Sequence, residues 1–218
     1  YLISAASEVL FMIILGSLAI GPTARAPRGR MLPQVAEGMQ FVWGNKLLLG
    51  TISLDMFAVL LGGSVFLLPI YARDIIDLSR LGLTAEQSLG WLRAAPAAGA
   101  LIMALTLAHL PPIRNAGRTL LLAVAGFGIA TIVFGLSRNF WLSMAMLLLT
   151  GVFDNISVVI RHTLVQVITP DRMRGRVSAV NAIFIGSSNE LGGFESGLVA
   201  RWFGAVTSVV SGGIGTLF

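Results

Sequence analysis

Apolar residues occur along this chain in blocks separated by short polar breaks, and the blocks define its elements. The first block covers Tyr1 to Ile20 and ends at Gly21-Pro22. Others follow from Leu47 to Tyr71, from Leu89 to Leu110 before Pro111-Pro112, from Thr119 to Leu136, from Trp141 to Val167 and from Val177 to Phe203. A last one begins at Ala205. A helix crosses the hydrocarbon core of a bilayer with roughly 20 residues, so each complete block predicts a membrane span. The Ser137–Phe140 connection is short enough to force its two spans into an antiparallel hairpin. Between the first two blocks, Val35, Met39, Val42 and Trp43 recur at helical spacing opposite Glu37, Gln40 and Asn45. That pattern fits a short amphipathic helix at the membrane interface and equally a solvated loop helix. Three segments result: a span at 1–21, a connecting loop with an amphipathic helix at 22–46, and a bundle at 47–218. Both ends fall inside apolar runs, which reads as a piece of a longer chain.

Composition agrees with the pattern. Of 218 residues, 56% are hydrophobic and 11% charged, against about a quarter charged in a soluble domain. The fold class expected is all-α, a polytopic transmembrane helix bundle. The formal net charge of +5 sits in loops instead of forming a stripe with interleaved aromatics, which argues against a nucleic-acid partner. Arg25, Arg28 and Arg30, then Arg114 and Arg118, then Arg172, Arg174 and Arg176 occupy alternate connections. By the bias of Lys and Arg toward the inner side, those connections face the cytoplasm.

Chemistry narrows further. There is no cysteine, hence no thiol nucleophile or thiolate metal site. The two histidines, His109 and His162, lie near helix ends and belong to no zinc motif, so no metal, no cofactor and no enzymatic constellation is expected. The informative residues are polar ones inside the spans: Asp55, Asp154, Arg161, Glu190 and Glu195, with Asn189 beside Glu190. A charge facing lipid near mid-membrane costs at least about 2.5 kcal/mol, so these groups should face the bundle interior or an aqueous cavity. Asp154 and Arg161 are about two turns apart and share a helix face. Asp55 lies at a depth that allows a cross-helix pair with Arg161, and Glu190 lies about 20 Å into its span. Such charges either line a substrate and proton pathway or simply neutralise one another and fix helix packing. Small residues form a second pattern. Ser178, Ala182 and Gly186, then Gly193 and Gly197, recur every four residues, and Pro96 and Gly99 stand in an alanine-rich stretch. Such faces let helix backbones meet closely, as fixed seams or as sliding surfaces.

The stretch Thr163-Leu-Val-Gln-Val-Ile-Thr-Pro-Asp-Arg-Met-Arg-Gly-Arg-Val177, continuing into Ser178-Ala-Val-Asn181 and Ser188-Asn-Glu-Leu-Gly192, resembles the major facilitator superfamily, in its branch of siderophore and multidrug exporters. Asn115-Ala-Gly-Arg118 retains the Gly-Arg of a family loop signature without its usual acidic residue, and Gly193 stands where relatives often carry an acid. The resemblance covers essentially the whole chain. It implies the sixth helix of twelve, helices seven to eleven and the start of the twelfth, with helices one to five missing. It places Asp55, Asp154 and Arg161 beside the central cavity and helix eleven against the other half. The implied activity is proton-coupled export of a hydrophobic small molecule or siderophore by alternating access in a bacterial cytoplasmic membrane. The partners are then lipid, substrate, a proton and the missing N-terminal half. Arg114, Arg118, Arg172, Arg174 and Arg176 would form the cytoplasmic gate. A non-transporting scaffold or sensor subunit built on the same bundle is the alternative.

Overall fold

Helix after helix follows the apolar blocks, and no strand occurs among the described residues. The computed structural model describes residues 9, 11–13, 16, 31–79, 81–111 and 115–217. Residues 1–33 and 34–218 form two separate compact units. In the first, Val9, Phe11, Met12 and Ile13 are helical with exposed apolar side chains.

The second unit holds α1 (Met31–Gly44, entering it at Gln34), α2 (Lys46–Leu61), α3 (Ala85–His109), α4 (Ala116–Leu136), α5 (Phe140–Ile168), α6 (Arg174–Phe203) and α7 (Ala205–Thr216). The starts are chemically marked. Asn45 Oδ1 accepts from the amides of Leu47 and Leu48, and Asn139 Oδ1 from those of Trp141 and Leu142. Thr84 and Gln87 close a reciprocal capping box, satisfying amides that the first helical turn leaves without partners. The α4–α5 connection is the short one expected, Ser137 to Asn139.

Contacts run α3–α5–α4–α7–α6–α2 around the bundle. Lys46–Ile75, α3, α4 and α5 are each long and apolar enough to cross a membrane. α6 is 30 residues long but more polar, because its exposed face carries Ser178, Ala182, Gly186, Asn189 and Glu190. Trp91, Trp141 and Trp202 are 58–66% exposed. They stand near the start of α3, the start of α5 and the end of α6, which share one end of an up-and-down bundle. Exposed indoles at that level mark a membrane–water boundary. The bundle is an all-α transmembrane bundle.

Two apolar clusters close its ends. At the arginine-rich end Val42, Leu48, Ile52, Val165, Val177 and Val180 are buried together. At the opposite end Leu67, Leu68, Tyr71, Leu92, Phe134, Phe140 and Leu147 form the larger cluster, where Tyr71 stacks on Phe134 with ring centroids 4.6 Å apart and donates to the Gly135 carbonyl at 2.9 Å. α1 belongs to the first cluster: Val35, Met39 and Val42 face inward as their spacing predicts. Trp43, expected on that face, is 62% exposed.

The Leu47–Tyr71 block is not one continuous helix. α2 ends at Leu61, and after Gly62-Gly63 the chain continues as a tight turn (Ser64–Leu67), a short α-turn (Leu68–Ile70) and a wider turn (Tyr71–Ile75) closed by Ile76 N to Tyr71 O at 2.9 Å. The break comes from close packing. A Cβ at Gly62 would lie 2.5 Å from the Phe127 ring, and one at Gly63 would collide with Ser196 Oγ.

Small residues govern the other crossings. A Cβ at Gly99 would strike the Leu148 carbonyl and one at Gly151 the Pro96 carbonyl, so α3 and α5 touch backbone to backbone. The Pro96–Gly99 seam is as expected, and Gly151 is its unforeseen other half. On α6 the expectation holds in part, since a Cβ at Gly193 would lie 3.1 Å from the Phe66 ring. A Cβ at Gly192 would lie 2.8 Å from the Leu60 carbonyl, whereas Gly186 and Gly197 have nothing within 4 Å among the described residues.

Candidate functional site

Between the two apolar clusters, α5 turns a polar strip inward. Leu147 belongs to one cluster and Val165 to the other. Thr150, Gly151, Asp154, Ser157, Val158 and Arg161 lie between them at spacings of three and four, hence on one face. That face meets the α2 break, and together with α3, α4 and α6 they line an open cavity of about 430 Å³. Asp55, Gly62, Gly63, Phe66, Pro96, Phe127, Thr150, Asp154, Arg161 and Asn189 are among its walls.

Its charge arrangement is asymmetric. Arg161 is 3% exposed and Asp55 5%; Arg161 Nη1 pairs with Asp55 Oδ2 across the α2–α5 interface. Asp55 Oδ1 accepts a second bond from Ser157 Oγ at 3.2 Å. Each charge thus has its counter-charge, the condition under which ions tolerate burial. Arg161 Nε is buried without a partner among the described residues. Asp154 lines the same cavity and makes no hydrogen bond or ion pair with any described residue. A second, water-sized space of about 10 Å³ adjoins Asp55, Asp154 and Ser157 under Phe127 and Phe153. With Asp55 and Arg161 cancelling, the ionised cavity carries one net negative charge, on Asp154.

Of the residues singled out by sequence, Asp55, Asp154, Arg161 and Asn189 come together here. Glu190 and Glu195 do not line this cavity: Glu190 is exposed on the small-residue face of α6 and Glu195 is half-buried elsewhere. Ser157 and Phe127 were missed, since a serine and a phenylalanine inside apolar helices carry no burial penalty that would set them apart in sequence. At the arginine-rich end, Arg176 pairs with Glu37 and Arg174 with Asp171 at 2.9 Å. Arg172 lines an open surface pocket with Glu37 and Asn45, and Arg118 is exposed in the first turn of α4. Arg114, together with Arg25, Arg28 and Arg30 and most of the first span, lies outside the described residues. No group of three or more metal-ligating side chains is assembled among the described residues.

The chain aligns over 217 residues, its whole length, with the enterobactin exporter EntS of Escherichia coli O1:K1 and that of Escherichia coli O139:H28, at 27% identity in each case. This chain is homologous to enterobactin exporters. The alignment supports the resemblance to a C-terminal half of a major facilitator superfamily transporter. The chain spans about half the length of the curated relatives it matches, 50% in each. No family model matches it, and no solved structure does. Homology and the apolar helices together make it a multi-pass membrane protein.

Proposed function

We propose that this chain is the C-terminal half of a secondary exporter in a bacterial cytoplasmic membrane, working by alternating access and coupled to protons. In that assignment the first span and α2–α7 correspond to the sixth through twelfth helices. The arginine-bearing connections face the cytoplasm, where Arg114, Arg118, Arg172, Arg174 and Arg176 form the gate. Homology to proteins named as enterobactin exporters supports export, and the cargo proposed is a siderophore or another hydrophobic small molecule. The cavity volume of about 430 Å³ lies within the range of small-molecule sites, and its position at an interrupted helix is where transporters bind substrate.

The observation that carries the coupling mechanism is the contrast between the two aspartates. Asp55 is committed to Arg161 and Ser157, whereas Asp154 faces the cavity without a partner among the described residues. Asp154 is therefore the carboxylate free to take a proton when the cavity faces outward and release it when the cavity faces inward, its charge alternating with substrate occupancy. The paired Asp55 keeps Arg161 neutralised throughout.

In the full-length protein in proteoliposomes, Asp154→Asn abolishes substrate-driven proton flux while expression persists, because an amide cannot cycle a proton. Glu190→Gln, outside the cavity, leaves the coupling in place. Undiminished proton flux in Asp154→Asn would remove the proposed role.

A further inference from the structure

A polar contact at the arginine-rich end joins two elements that sequence leaves unrelated. Glu37 on α1 and Arg176 in the first turn of α6 form an ion pair at the surface. The next residue, Gly38, lies so close to α6 that a Cβ there would come 2.8 Å from the Arg176 carbonyl oxygen and 3.1 Å from Val180 Cγ2. One turn on, Val42 is fully buried with Leu48, Val165, Val177 and Val180. A fourteen-residue helix is marginal by itself, and one surface ion pair contributes little. Here charge, backbone contact and apolar burial act on the same two turns. Met173, just before α6, gives that helix no side-chain cap, and the Glu37 carboxylate brings negative charge to its positive end.

We infer that α1 is a strut latched to α6: it moves with the bundle as one body, and the Glu37–Arg176 pair over Gly38 is the latch. The junction on its other side is stiff as well, since Asn45 alone separates α1 from α2, accepting from Leu49 N at 2.9 Å and donating to Val42 O at 3.2 Å. The inference is independent of substrate and of proton coupling.

The chain has no cysteine, so Val42→Cys in an otherwise cysteine-free full-length protein reports on docking. In inside-out vesicles a membrane-impermeant maleimide should label it at least about tenfold more slowly than the same variant unfolded in SDS. Glu37→Arg or Arg176→Glu should each raise the vesicle rate, by up to about fivefold. Combining the two reversals should restore protection, and Gly38→Val, which pushes the helices apart without touching charge, should also raise the rate. Labelling in vesicles as fast as in SDS with the pair intact would overturn docking. A rate unmoved by either reversal and by Gly38→Val would overturn the latch.

Discussion

Asp55 and Arg161 leave water together, and neither is stable there alone. Removing one partner of a buried pair leaves an uncompensated charge and costs about 3–5 kcal/mol. Asp55→Asn is accordingly expected to lower the protein's thermal stability in detergent strongly, whether or not transport is measured. Asp154→Asn should leave stability almost unchanged, because no ion pair or hydrogen bond to a described residue is lost. Equal destabilisation by both substitutions would contradict the division of labour between the two carboxylates. Ser157→Ala removes one hydrogen bond to a charged acceptor and should cost less, about 1.5–3 kcal/mol. Charged residues at improbable depths were legible in the sequence because the bilayer makes them expensive. The pairing of Asp55 with Arg161, which their matching depth allowed, is the one the α2–α5 interface makes.

Helix crossings here depend on the absence of side chains. α3 and α5 meet where Gly99 faces the Leu148 carbonyl and Gly151 faces Pro96, so a larger residue at either position must separate the helices. Gly151→Leu is expected to destabilise by about 1–3 kcal/mol through overpacking and to distort the cavity wall that Gly151 and Pro96 share. Gly50→Ala, with nothing within 4 Å of the added carbon among the described residues, should be neutral or stabilising by up to about 1 kcal/mol on helix propensity. Thermal melts of the two variants side by side check both. The repeat of small residues on α6 indicated that some close crossing exists. It pointed in part to the exposed side, at Gly186 and Gly197, while Gly193 meets the Phe66 ring, because spacing alone does not say which side of a helix its neighbours occupy.

Across the whole bundle the alternation of helices puts Arg118, Arg172, Arg174 and Arg176 at one end and Arg73, Arg93, Arg138 and Arg201 at the other. The opposite end also carries the exposed Trp91, Trp141 and Trp202. If the arginine-rich connections are cytoplasmic, Arg174→Cys should react with an impermeant thiol reagent only from the cytoplasmic side of cell membranes, and Arg138→Cys only from the other. Reversed accessibility would invert the proposed direction of the gate. The end-to-end arrangement of two apolar clusters leaves the cavity and its charges between them, and the proposed alternating access would draw on that position.

The sequence by itself determined the helical class, the limits of most helices from Leu47 onward to within a few residues, the hairpin at Ser137–Asn139, and the set of polar residues a bilayer would not tolerate on its surface. These follow from transfer energies and backbone bonding, which act residue by residue and so are written in linear order. The tertiary structure alone decided the break at Gly62-Gly63, the bond from Ser157 to Asp55, the exclusion of Glu190 and Glu195 from the cavity, and the docking of α1 onto α6. Each depends on which helix lies opposite which, and that is fixed by packing between residues as far apart as Glu37 and Arg176. Local pattern carries no record of such a neighbour.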